Sequence, residues 1–168
     1  MTGDAGQSTP ATTTYNLLFV CTGNTCRSPM AEALARQAVA ERDWHHVRVA
    51  SAGLAAHAGG PASRNALTVA RRHGLELEAH RSQPLTPELL EWADLVLAMS
   101  PSHLAAIQQM GAGEKAALLG EFAPGNTGAG AGVPDPFGGD EREYEQTLLE
   151  LRRLIGGVMD RLGPILHP

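Results

Sequence analysis

Cys21 and Arg27 stand in the run Cys21-Thr22-Gly23-Asn24-Thr25-Cys26-Arg27-Ser28, with five residues between them. A thiol and a guanidinium at this spacing suit one chemistry in particular, the handling of a phosphoryl group. A guanidinium holds two oxygens of such a group at once. Gly23 and Asn24 tolerate the left-handed backbone that a tight anion cradle needs. The main-chain N–H groups of such a loop converge on an anion, and a following helix N-terminus adds positive potential. A thiolate is favoured at the mouth of that field, which makes Cys21 the candidate nucleophile. The bland alternative is a small buried cysteine near a surface arginine, and the bare spacing does not exclude it. The loop lacks the Gly-Lys-Ser/Thr ending of a nucleotide-binding phosphate loop. A leaving group also needs a proton donor. Asp135, in Val133-Pro134-Asp135-Pro136-Phe137, is the candidate, because its flanking prolines stiffen the segment that would aim it.

The elements that must position these residues are readable around them. Asn16-Leu17-Leu18-Phe19-Val20 is a short apolar run, the pattern of a strand buried on both faces. It feeds directly into the loop. Ser28 then fits a helix N-cap and Pro29 the first helical position, with the helix running to about Asp43. Val47 to Ala50 reads as a second strand, ended by Ser51-Ala52-Gly53. A helix from about Ala62 to His73 follows and stops at Gly74. A short helix falls around Glu88–Trp92. Asp94 to Met99 is a third buried strand, Ser100-Pro101 opens a helix ending near Gly111, and Ala116 to Leu119 is a fourth strand. Residues 120–139 are rich in Gly and Pro and read as mostly loop. The last helix begins near Asp140, with Glu143 as capping-box partner. Its apolar face is Tyr144, Leu148, Leu151, Ile155, Val158 and Leu162, weakened centrally by Gly156-Gly157. Strands alternating with helices predict an α/β sandwich on a parallel sheet, in which ligands sit at the carboxyl ends of the strands. The Cys21 loop lies at such an end.

Composition narrows the partners. The 168 residues suit one domain, with residues 1–14 as a flexible tail and residues 15–168 as the folded unit. A net charge of -5 argues against nucleic acid. Cys21 and Cys26 are the only cysteines, too few for a disulfide scaffold or, without a histidine cluster, for a metal site, so no bound metal is expected. Neither a membrane-spanning run nor a signal peptide is visible, and a reducing, cytoplasmic setting is expected.

The segment Phe19-Val20-Cys21-Thr22-Gly23-Asn24-Thr25-Cys26-Arg27-Ser28-Pro29-Met30-Ala31-Glu32 resembles the signature of the low-molecular-weight protein-tyrosine phosphatases. Ser51-Ala52-Gly53, Asp94 to Met99 and Asp135-Pro136-Phe137 follow in that family's order, so the resemblance covers about residues 15–163. It implies a three-layer sandwich, a four-stranded parallel sheet flanked by helices on both faces. It implies Cys21 as nucleophile, Arg27 as phosphate clamp, and Asp135 as general acid and then general base. Thr22, Gly23, Asn24, Thr25, Cys26 and Ser28 would complete the phosphate-binding loop, with Ser28 hydrogen-bonding the Cys21 sulfur. Asn24, Ser51 and His80 match the network that holds the strained loop. Cys26 matches a second loop cysteine able to form a disulfide with Cys21 on oxidation. Neither metal nor organic cofactor is implied, and the partner is a phosphorylated protein, with a monomer favoured. Thr25 and Phe137 sit where substrate preference divides the family. Thr-Gly-Asn-Thr and Asp-Pro-Phe-Gly-Gly are similar to the bacterial protein-arginine phosphatase branch, so phosphoarginine is the expected substrate, with phosphotyrosine as the alternative. Arsenate reductase is disfavoured because no cysteine follows Cys26. A non-catalytic phosphoprotein-binding module is disfavoured because Cys21, Arg27 and Asp135 are all present.

Overall fold

A computed structural model describes residues 13–123 and 132–166. The expected tail falls outside these residues except for Thr13 and Thr14, and most of the Gly/Ala-rich stretch 120–133 falls outside them too. Four parallel strands form one sheet in the order β2-β1-β3-β4, with β1 at Tyr15–Cys21, β2 at Val47–Gly53, β3 at Leu95–Ala98 and β4 at Ala116–Leu118. The helices are α1 (Arg27–Glu41), α2 (Arg64–Arg72), α3 (Pro87–Trp92), α4 (Pro101–Gln109), α5 (Leu119–Phe122) and α6 (Glu141–Leu166).

The apolar run in β1 is buried on both sides because its side chains alternate between two cores. Leu17, Phe19 and Cys21 join the core beneath α1, α2 and α6. Leu18 and Val20 join the core that holds Leu90 of α3 and Ile107 of α4. The three-layer expectation holds. The chain leaves β1 towards β2 on one side and returns to β3 on the other, so the order reverses at the carboxyl end of β1. That end is where two neighbouring crossovers part and leave a crevice.

Several boundaries differ from the sequence reading. Helix α1 begins at Arg27, with Cys26 at the N-cap position and no side-chain cap, so Ser28 and Pro29 lie inside the first turn. The Ser28 hydroxyl does not cap because it is bound to Cys21 and Asn24. Strand β2 extends through Ser51-Ala52-Gly53 because these residues keep register with Phe19, Val20 and Cys21. Helix α2 is one or two residues shorter at each end than its pattern suggests. Leu119–Phe122 is a helical turn, α5, where strand and loop were expected. At α6 the capping box forms as read: Glu143 N–H donates to Asp140 Oδ1 at 3.1 Å, and Asp140 N–H to Glu143 Oε1 at 3.0 Å. All six residues of its apolar face are buried, and the helix runs unbroken through Gly156-Gly157.

Candidate active site

The loop from Cys21 to Arg27 joins β1 to α1 in that crevice. Asn24 has φ 58°, the left-handed conformation, and is fully buried. Its cost is met by hydrogen bonds on every polar atom of its side chain. Asn24 Nδ2 donates to Ser28 Oγ at 2.8 Å and Ser51 Oγ at 2.9 Å, and Oδ1 accepts from Gln83 N–H at 2.9 Å. His80 Nε2 donates to the Asn24 carbonyl at 2.7 Å. Ser51 passes its own hydroxyl hydrogen to Glu32 Oε1 at 2.5 Å. The loop is also stitched to the end of β2: Leu54 N–H donates to Cys21 O at 3.0 Å and Ala55 N–H to Thr22 O at 2.9 Å. Gly53 lies against this loop, and a Cβ there would sit 2.5 Å from the Thr22 carbonyl oxygen.

Within this frame Cys21 Sγ lies 2.8 Å from Ser28 Oγ. Arg27 is buried, donates from Nη1 to the Val133 carbonyl at 3.1 Å, and faces Asp135 with Nη2 3.5 Å from Oδ2. Val133 fixes the segment that carries Asp135, since its N–H also donates to Met99 O at the end of β3 at 2.7 Å. Asp135 is half exposed and accepts the Phe137 N–H at 3.1 Å, a local turn that aims the carboxylate. Cys21, Thr22, Gly23, Thr25, Cys26, Arg27, Asp135 and Phe137 together line a cavity of about 190 Å³. Phe137 forms its exposed wall.

Every candidate read from the sequence therefore lies in the cavity or in the hydrogen-bonded frame behind it. Ser28, Asn24, Ser51 and His80 make up the frame, and the others line the cavity. Both cysteines are free thiols. Cys26 Sγ is 3.2 Å from Tyr144 Oη and 3.5 Å from Ser63 Oγ. Burial first, and the Cys26 contact second, push the Tyr144 phenol up to about 12, so it stays protonated. Among the described residues no cluster of His, Cys, Asp and Glu could hold a metal ion.

Three participants were missed from sequence. Glu32 terminates the Ser51 chain, and Gln83 braces Asn24. His103, buried in the first turn of α4, places Nε2 2.8 Å from Thr22 Oγ1. Burial chiefly, and then the Arg27 charge, push His103 down to about 4, with Asp135 opposing. Its one available signal was position: it stands at a helix start just beyond the carboxyl end of β3, beside the crevice.

The arrangement can hold a tetrahedral oxyanion against loop amides and a guanidinium, with a thiol below and a carboxyl above. Three comparisons bear on it. The sequence model of the family described as low molecular weight phosphotyrosine protein phosphatase matches residues 16–164. The chain is 46% identical to a protein-arginine-phosphatase of Bacillus subtilis, covering 88% of this chain and 96% of that one. It is 34% identical to a probable low molecular weight protein-tyrosine-phosphatase, EpsP, of Ralstonia solanacearum, over 87% of this chain and 94% of the relative. A solved YwlE arginine phosphatase mutant with a phosphorylated active-site serine superimposes with TM-score 0.80 at 44% identity, covering 88% of this chain and 95% of that one.

Proposed function

The chain belongs to the low molecular weight phosphotyrosine protein phosphatase family, and from that premise we propose that it removes phosphate from phosphoarginine in proteins, with Cys21 as nucleophile. The observation that carries the mechanism is the Cys21 sulfur 2.8 Å from the Ser28 hydroxyl, in a loop closed by Arg27 and overhung by Asp135. The phosphoryl group enters the loop and replaces Asp135 as the partner of Arg27. The Cys21 thiolate attacks phosphorus, an S–P bond forms and the P–N bond to the guanidine breaks. Asp135 gives its proton to the departing nitrogen. A water then attacks the phospho-cysteine, Asp135 takes the water's proton, and the S–P bond breaks to release phosphate. Ser28 stabilises the departing thiolate by hydrogen bonding.

Thr25 supports phosphoarginine over phosphotyrosine. Its hydroxyl on the cavity wall offers polar contact to a guanidinium or a water, where an aliphatic side chain would pack a phenyl ring better. The Bacillus relative's name agrees with this preference, and the Ralstonia relative's name keeps phosphotyrosine as the second reading. The partner is a phosphorylated protein, met in the cytoplasm by a monomer without metal or organic cofactor. No helix among the described residues is long and apolar enough to cross a membrane. With peroxide as the two-electron oxidant, Cys21 and Cys26 would form a disulfide and release two waters, sparing Cys21 from irreversible oxidation.

Turnover of a phosphoarginine protein and of a phosphotyrosine peptide, compared for the wild type and Thr25→Ile, tests the reading. The wild type should prefer phosphoarginine, and Thr25→Ile should move the kcat/KM ratio towards phosphotyrosine by about tenfold. Cys21→Ser should turn over neither. A strong wild-type preference for phosphotyrosine that Thr25→Ile leaves unchanged would refute the arginine assignment, and turnover by Cys21→Ser would refute the mechanism.

A further inference from the structure

We propose that Thr22 is a substrate-contacting residue that donates its hydroxyl hydrogen to a phosphoryl oxygen, and that His103 is the positioning residue that aims it. The inference rests on the phosphatase reading above and assigns a further donor to the same site. Thr22 is exposed and lines the cavity with Cys21, Arg27 and Asp135. Its Oγ1 lies 2.8 Å from Nε2 of His103, a buried ring on a different element. Among the described residues the other ring nitrogen, Nδ1, is buried without a hydrogen-bond partner.

That orphan nitrogen decides which way the bond runs. A neutral imidazole has one N–H and one bare nitrogen. If the N–H were on Nδ1, an N–H donor would be left unpaired in the interior. Placing the hydrogen on Nε2 instead spends the N–H on Thr22 and leaves only a lone pair on Nδ1. The ring stays neutral because burial and Arg27 both oppose a second charge there. Thr22 Oγ1 is then an acceptor towards His103, so its own hydrogen is free to turn elsewhere. The cavity is the open side, and what fills it in turnover is an anion rich in acceptors. His103 itself is fixed by α4, whose Ser100 side chain caps the His103 N–H at 3.3 Å. The result is a hydroxyl aimed by a rigid, uncharged donor, which costs little reorganisation when phosphate arrives.

The test uses the full chain with inorganic phosphate as the probe, its affinity measured by calorimetry, alongside kcat/KM for a phosphoarginine protein. Thr22→Val keeps the shape and removes the hydroxyl. It should weaken phosphate binding and lower kcat/KM by about tenfold or more at a temperature where the variant is folded, and Thr22→Ser should recover both to within about threefold. His103→Leu should lose a similar factor in the wild-type background and almost nothing further in Thr22→Val. His103→Gln, which can still donate, should retain most of the affinity. Phosphate affinity and kcat/KM of Thr22→Val within about twofold of wild type would overturn the proposal. So would losses from Thr22→Val and His103→Leu that multiply in the double variant. Phosphate affinity is read without turnover. An inactive wild type whose phosphate binding depends on Thr22 therefore sinks the phosphatase reading and leaves this one standing. An active wild type indifferent to Thr22 does the reverse.

Discussion

Asn24 bears the conformational strain of the loop and His103 its electrostatic constraint. A left-handed non-glycine residue persists where its surroundings over-determine it, and the bonds to Ser28, Ser51, Gln83 and His80 do so here. His103 is different, because what it requires is neutrality. Its value falls from 6.5 to about 4 in the fold, through burial first and Arg27 second. The unfolded chain therefore takes up a proton below 6.5 that the native chain refuses until about 4. Native stability is intact above that window and is lost as pH falls through it. The loss assignable to His103 is about 1–3 kcal/mol. Chemical denaturation of the wild type and His103→Gln at pH steps across the window measures it, and the wild type should show the steeper decline.

At the scale of elements, the loop depends on how closely β2 approaches it. Register pairs Cys21 with Gly53, and beyond that pair Leu54 and Ala55 donate to the carbonyls of Cys21 and Thr22. The approach is possible because residue 53 has no side chain: an added Cβ would lie 2.5 Å from the Thr22 oxygen and 2.9 Å from the Asn24 nitrogen. Both neighbours are backbone, so neither yields without deforming the cradle. Gly53→Ala should cost about 1–3 kcal/mol of stability. It should also cut kcat/KM by more than about tenfold, because a displaced amide no longer meets the oxyanion. A variant with wild-type kcat/KM would show that the loop tolerates the shift.

At the scale of the molecule, α6 packs against α1 and α2, and its first turns bring Tyr144 against Cys26 while the apolar face of its later turns fills the core. Stability and chemistry should separate along it. Leu151 is fully buried in that core and is not among the residues that line the cavity. Leu151→Ala should lower unfolding free energy by about 2–5 kcal/mol. Below its own thermal midpoint it should keep kcat/KM within about twofold of wild type. Denaturant melts paired with kinetics at a temperature where the variant is folded would check both halves.

The local chain determined a good deal by itself. The continuous apolar runs of β1 and β3 marked strands buried on both faces, and the Asp140–Glu143 capping box with its helical stripe marked α6. The adjacency of Cys21, Arg27 and Ser28 marked an anion loop, because those groups are neighbours in sequence and a short loop cannot separate them. The start of α1 was misplaced because a serine that caps by propensity was already bound to a thiol and an amide from elsewhere in the loop. Helix α5 was missed because only packing against β4 and α6 turns a Gly-containing run into a helical turn. His103, Gln83 and Glu32 carried no local signal. Their partners lie 19 to 81 residues away in the chain. Periodicity and capping report forces that act over a few residues, whereas a hydrogen bond between distant segments exists only once the sheet order has set those segments side by side.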